Sequence, residues 1–220
     1  MSPAKQRDCR SAVELSSHES IAVLTFPEQP EYPRLSRALL REISEQLRDV
    51  QSAACFGGLV IASNSRSFAT GAELEEVSGL SGLAAFEFAR TGQSVLVEIA
   101  SCAIPVVAAI RGFCLGGGLD LALTCHGRVA AYDSSLGCPG AALGLLTGWG
   151  GTQRLPRLVG SAAAAQMLLT GERIPATQAL TQGLVDELVP SADLVVAAAR
   201  RARRLAAESS RVRAFLRRRS

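Results

Sequence analysis

Three consecutive glycines, Gly116-Gly117-Gly118, sit where one apolar segment must give way to another. The run before them, Pro105-Val-Val-Ala-Ala-Ile110, has no polar alternation and reads as a strand buried on both faces. The run after them, Leu119–Cys125, reads as a short apolar helix. Between the two, Gly112-Phe-Cys-Leu-Gly116 leaves only a few residues for the handover. Glycine lets the backbone approach a neighbour closely, and the free N–H groups of a helix start point outward as an anion site. Chemistry alone leaves three uses for such a junction: a phosphate cradle, an oxyanion hole for a carbonyl, or a tight turn with no ligand.

A phosphate cradle of the nucleotide-binding folds asks for G-x-G-x-x-G, or for G-x-x-x-x-G-K-[ST] with its lysine. The chain has neither, and its only lysine is Lys5. A second loop, Phe68-Ala-Thr-Gly71-Ala72-Glu73-Leu74, also follows a short buried run, Leu59-Val-Ile-Ala62, after the polar Ser63–Ser67. Two strand ends that each deliver a backbone N–H are what a two-donor oxyanion hole needs.

The rest of the chain supports one α/β fold. At 220 residues it can bury one sizeable core, and 48% hydrophobic with 20% charged residues is a globular balance. Its apolar stretches are too short to span a bilayer, and Met1–Arg10 is polar with no signal-peptide core behind it, so a cytoplasmic address is expected. Six cysteines at 9, 55, 102, 114, 125 and 138 form no C-x-x-C pair and are expected as reduced, mostly buried thiols. With two histidines, His18 and His126, no metal-site spacing appears.

Along the sequence, Ser20–Phe26 alternates as a strand, and Pro27, Pro30 and Pro33 break the chain. Leu35, Leu39, Ile43, Leu47 and Val50 then mark one face of a helix. A helix over Gly82–Cys102 and a strand at Arg128–Ala131 follow. Ser134–Gly151 reads as a long glycine-rich loop, a length that usually signals function. Helices near 152–159, 162–169, 176–182 and 192–207 complete an α/β class. The last thirty residues carry nine arginines against Asp193 and Glu208, a charge of +7 over a remainder of −4. These arginines suit a solvated helix face or an acidic partner; a nucleic-acid role lacks aromatic interleaving and any recognition motif.

Several of these segments in order resemble the crotonase (enoyl-CoA hydratase/isomerase) superfamily. Ser67–Leu74 is similar to its F-x-x-G-A-D-L loop. Ile104–Ala122 is similar to its P-x-[IV]-A-A-[IV]-x-G-x-x-x-G-G-G-x-E-L-A segment. Gly150-Gly-Thr-Gln-Arg-Leu-Pro-Arg-Leu-Val-Gly160 and Leu169-Thr-Gly-Glu-Arg-Ile-Pro-Ala176, with Ala179 and Gly183-Leu184-Val185, match later segments. The resemblance runs from about Ile21 to Pro190. It implies a spiral of ββα turns over 1–160 and a helical, oligomer-forming region over 161–220 that looks C-terminally short. It implies homo-oligomers, a trimer or a dimer of trimers, and a place in fatty-acid metabolism. It also implies an acyl-CoA partner, with coenzyme A part of the substrate and no separate cofactor. The thioester oxygen would rest on the N–H groups of Ala72 and Gly117, flanked by Gly71 and Gly116.

The chain departs from that family where a hydratase needs its two carboxyl groups. The family's glutamates map onto Asp120, one methylene shorter, and Gly140, which has nothing to titrate. Gly148 stands where dienoyl isomerases and dehalogenases of the family carry an aspartate. The region of the first helix reads Pro33-Arg34-Leu35 in place of Asn-Ala-Leu. Asp120 is either the sole acid/base or a residue placed to favour the positive helix end, worth about 0.3–1 kcal/mol. Glu73 is expected to cap or orient its loop, His126 to be structural, and Trp149 to serve as core or acyl-pocket wall. The combined expectation is an acyl-CoA lyase or isomerase that is not an efficient hydratase. The alternatives are an isomerase or decarboxylase proper, an inactive acyl-CoA-binding scaffold, and a nucleic-acid binder acting through its arginine tail.

Overall fold

The computed structural model describes residues 13–29 and 32–217, with side chains as far as Ser209. The charged start Met1–Arg10 with Cys9, Pro30, Arg218 and Arg219, and the side chains of Arg211, Arg213 and Arg217, lie outside the described residues. The first part runs β1 (Glu14–His18), β2 (Ile21–Phe26), α1 (Arg37–Ala53) and β3 (Gly58–Ser63). Next come α2 (Leu74–Val77), α3 (Gly82–Ala100), β4 (Val106–Ile110), β5 (Phe113–Leu115), α4 (Gly117–Thr124), β6 (Gly127–Ala131) and β7 (Ser135–Gly137). A 3₁₀ turn at Pro139–Leu143 precedes α5 (Gly151–Val159), α6 (Ser161–Thr170), β8 (Arg173–Pro175), α7 (Ala176–Thr181), β9 (Glu187–Val189) and α8 (Leu194–Arg217).

Six strands form one sheet in the order β1-β2-β3-β4-β6-β9, parallel except for the β1–β2 hairpin. Every residue of β3, β4 and β6 is buried, as expected of parallel strands covered on both sides. The period-two alternation divides those residues between two cores. Val23, Val60, Ala62, Val107, Ala109 and Val129 face α8, whose Leu194, Ala197, Ala198 and Ala202 pack on them. Leu24, Leu59, Ile61, Ala108 and Ile110 face the larger core under α1 and α3. Alanines on α8 let that helix lie close to the sheet: a Cβ at Gly58 would already touch the Ala202 methyl at 3.1 Å.

Helix α1 is capped by Ser36, whose hydroxyl accepts the Leu39 amide, and it buries Leu39, Leu40, Ile43, Leu47 and Val50. Ser81 caps α3 in the same way on Ala84. A smaller sheet, β5-β7-β8, sets Phe113–Leu115 beside Ser135–Gly137 and so fixes the chain entering the glycine run.

Two details differ from the sequence reading. The stretch Ser134–Gly151 contains a strand and a 3₁₀ turn before it becomes loop. The last helix starts at Leu194, because 191–193 form a 3₁₀ turn after Pro190. Beyond residue 160, β8 and β9 join the two sheets and α8 covers the larger one, so these elements share the core of the residues before them.

Of the described cysteines, Cys102, Cys114, Cys125 and Cys138 are buried and free, and Cys55 is free and exposed. The arginines of α8 with described side chains are each matched to an acid: Arg200 to Glu187, Arg201 to Asp186, Arg203 to Glu19 and Arg204 to Glu208. Pairing of that kind leaves these four arginines without a free charge to offer a phosphate backbone.

Candidate active site

Backbone ladders bring the two glycine loops together. The Leu115 amide donates to Ala69 O at 2.9 Å, and the Gly116 amide donates to Gly137 O at 2.9 Å. From the other side, the Thr70 amide donates to Pro33 O and the Leu35 amide to Gly71 O, tying 70–72 to the chain ahead of α1. Gly116 takes φ 53° and ψ −120°, a conformation that residues with a Cβ avoid, and this turn points α4 away from β5. As a result the Ala72 and Gly117 amides come close together: a Cβ placed on Gly117 would lie 3.4 Å from the Ala72 nitrogen. Among the described residues neither amide donates to a protein acceptor. Two buried-side donors left open in this way can hold one oxygen.

They open into a cavity of about 710 Å³. Gly71, Ala72, Gly116, Gly117, Asp120, Gly140 and Trp149, the site residues expected from sequence, all line it. Its lining includes the apolar Leu74, Val77, Leu80, Phe88, Leu143 and Leu146. It also includes Tyr32, Arg34, Phe113 and Arg173; Tyr32 meets the Phe113 ring at a tilt, and the Arg173 guanidinium lies over it. No group of His, Cys, Asp and Glu that could hold a metal ion occurs among the described residues.

Asp120 is sealed rather than open, with 0% of its surface exposed. Its Oδ2 accepts the Thr147 hydroxyl and, at 3.1 Å, the Trp149 amide. Its Oδ1 has no hydrogen bond within normal geometry, although the Gly151 amide at the start of α5 lies near enough to favour a charge there. Burial raises the carboxyl above its ordinary pKa of 3.8, against the lowering effects of Thr147, Trp149 and Arg154. Both ends of the helix-junction reading are thus present: Asp120 stands in the first turn of α4, and it also clamps the loop 147–149.

Asp120→Ala should leave the Trp149 amide and the Thr147 hydroxyl unpaired and lower stability by about 2 kcal/mol, measured by urea unfolding. The sign with pH follows from the raised folded-state value. Above 3.8 the unfolded carboxyl has lost its proton while the buried one still holds it. Wild type therefore gains stability as pH falls through that window, and the deficit of Asp120→Ala should be smaller at neutral pH than in mild acid. An unchanged deficit would mean that burial does not govern the carboxyl.

Cys138 also lines the cavity, and burial with the neighbouring Asp120 carboxylate pushes its thiol up to about 12, so it stays protonated and a poor nucleophile. Glu73 stands at the start of α2 without capping it and instead pairs with Arg34 at 3.7 Å. His126 lies outside the cavity lining; its Nδ1 accepts the Val106 amide at 3.0 Å, and burial lowers its pKa.

Two partners were not visible in sequence. Trp149 is buried against Phe88, with ring centroids 5.5 Å apart, and its indole fits only because positions 92 and 117 are glycine. Thr147 holds Asp120. The only sequence signal for the first was a glycine inside the otherwise helical run of α3.

A model of the enoyl-CoA hydratase/isomerase family matches residues 16–219. The chain belongs to the enoyl-CoA hydratase/isomerase, or crotonase, family. Among solved structures, the fold is similar to that of DspI from Pseudomonas aeruginosa. There the identity is 31% and the TM-score 0.83, over 95% of this chain and 84% of that one. It is also similar to an enoyl-CoA hydratase from Bacillus anthracis, at 31% identity and TM-score 0.83, over 89% of this chain and 76% of the other. A crotonase-type protein from Legionella pneumophila shares the fold at 20% identity and TM-score 0.84, over 93% and 83% of the two chains. Crotonase membership accounts for the order of the matched segments. No helix among the described residues is long and apolar enough to cross a membrane.

Proposed function

We propose that this crotonase-family chain binds an acyl-CoA thioester, with the thioester oxygen held by the Ala72 and Gly117 amides and polarised toward an enolate. The observation that carries the reading is the pair of neighbouring amides at the cavity with no protein acceptor among the described residues. Donors fixed in place before reaction stabilise a developing oxyanion without reorganising, and losing one typically costs about 10²–10³ in rate. The arginines and aromatic rings of the lining suit the phosphates and adenine of coenzyme A, and its leucines suit an acyl chain. Coenzyme A enters as part of the substrate, and no separate cofactor is invoked.

With glycine at 140 and Asp120 sealed, the reaction is proposed as enolate chemistry, an isomerisation or a decarboxylation, and not efficient hydration. The sealing of Asp120 also favours a second reading, an acyl-CoA-binding subunit without turnover. Self-assembly into trimers or dimers of trimers belongs to the same proposal.

Isotope-edited infrared spectroscopy of a bound acyl-CoA tests the amides directly and needs no turnover. The thioester carbonyl band is expected to move to lower frequency on binding to wild type. In Ala72→Pro, which removes a donor that serves no protein acceptor, about half of that shift should be lost. A bound thioester with an unshifted carbonyl would overturn the reading.

A further inference from the structure

The Trp149 indole lies in a slot cut by two glycines on different helices. A Cβ on Gly92, in the middle of α3, would fall 2.5 Å from the indole Cδ1 and inside the indole nitrogen's radius. A Cβ on Gly117, at the start of α4, would fall 2.5 Å from Cζ3. Neither distance is attainable between real atoms, so the ring fills the space between α3 and α4 next to the Gly117 amide. The ring is also fixed from its backbone. The Trp149 amide donates to Asp120, its carbonyl accepts Arg154 at 3.0 Å, and the preceding Gly148 carbonyl accepts Gln93 at 2.8 Å. Tethers on both sides make this a rigid wall and not a flap.

The wall packs on Phe88 and borders the Gly117 amide. Two arginines of the lining suit phosphate groups: Arg173, over the Phe113 ring, and Arg34, beside Glu73. A thioester with its oxygen on the two amides and its nucleotide toward the arginines would send its acyl chain toward Phe88 and Trp149. We infer that Trp149, seated in the Gly92–Gly117 slot, sets the acyl-length limit of this pocket and restricts it to short-chain acyl thioesters. The inference rests on the proposed thioester reading and adds to it the class of acyl group.

Two substitutions should move the limit in opposite directions. Trp149→Ala empties the slot, and each methylene that can then be buried adds to affinity. Gly92→Ala is conformationally easy in a helix, but its methyl must push the indole toward the cavity. The measurement is calorimetric affinity for butyryl-, octanoyl- and dodecanoyl-CoA, with free CoA as reference. Wild type is expected to bind butyryl-CoA best. The octanoyl-to-butyryl affinity ratio should rise about tenfold or more in Trp149→Ala and fall in Gly92→Ala. Should Trp149→Ala fail to fold, Gly92→Ala alone still decides the sign. Equal changes at every chain length in both variants would overturn the inference while leaving thioester binding intact. A wild type that binds every acyl-CoA no better than free CoA would remove the underlying reading as well.

Discussion

Gly118→Ala is expected to destabilise the protein by about 3 kcal/mol, the upper end of what overpacking normally costs. The added Cβ would sit 2.7 Å from the carbonyl carbon of Ala69 and equally close to the Ala69 Cβ. That neighbour is backbone, and it is held: Ala69 O accepts the Leu115 amide at 2.9 Å, and Ala69 bridges Cys114. Relief therefore requires the loop 68–72 to move away from α4 as a unit, and the same movement would separate the Ala72 amide from the Gly117 amide. The expected results are a lower urea midpoint and at least a tenfold weaker acyl-CoA affinity in whatever fraction remains folded. Gly148→Ala is the control. A Cβ there meets nothing within 4 Å, so stability should change by no more than about 0.5 kcal/mol. Comparable effects of the two substitutions would mean that glycine at 118 is not set by the contact between the loops.

The parts of this fold that were legible are those in which a side chain reports its own burial. Strands β3 and β4 announce themselves by lacking polar residues, and α1 by its leucine spacing. Strand β1 was not legible. Its sequence, Glu-Leu-Ser-Ser-His, is mostly exposed, and five consecutive pairings to β2 make it a strand without burying its face. Strands β5, β7, β8 and β9 are three residues each, too short for alternation to be told from chance.

The site divides in the same way. Ala72 and Gly117 are proposed to act through backbone N–H groups, with Gly71 and Gly116 shaping the turns beside them, and glycine punctuation after buried strands marks such positions in sequence. The surroundings of Asp120 and Trp149 depend on which side chains α3 and the 147–151 loop present to them. Thr147 and Gly92 carry no local pattern that says they will meet Asp120 and the indole. The exposed leucines of 143–146 illustrate the same limit: a loop of that length signalled function, but nothing in it said that its leucines would form a cavity wall.

Placing a carboxyl at 140 should raise hydration far above the rate expected of the wild type. Addition of water to an enoyl thioester needs a base for the water and an acid for the α-carbon, and a positioned carboxyl group contributes about 10²–10⁴-fold. Wild type offers neither freely: Gly140 has no side chain, and Asp120 keeps Oδ2 bonded to Thr147 and Trp149. Crotonyl-CoA should therefore lose its enoyl absorbance at close to the background rate with wild type, and about a hundredfold faster with Gly140→Glu. The new Cβ would lie 3.0 Å from Leu145 O, so the loop beyond the 3₁₀ turn must yield by a few tenths of an ångström. Its leucines are exposed, which makes that adjustment cheap and places the carboxyl at the cavity wall. A silent wild type with an active Gly140→Glu would locate the missing function in one absent acid/base, over a polarising site that already works. Rapid hydration by the wild type would mean that Asp120 leaves its clamp on the loop during turnover. The anchoring role given to it from Thr147 and Trp149 would then describe only the resting protein.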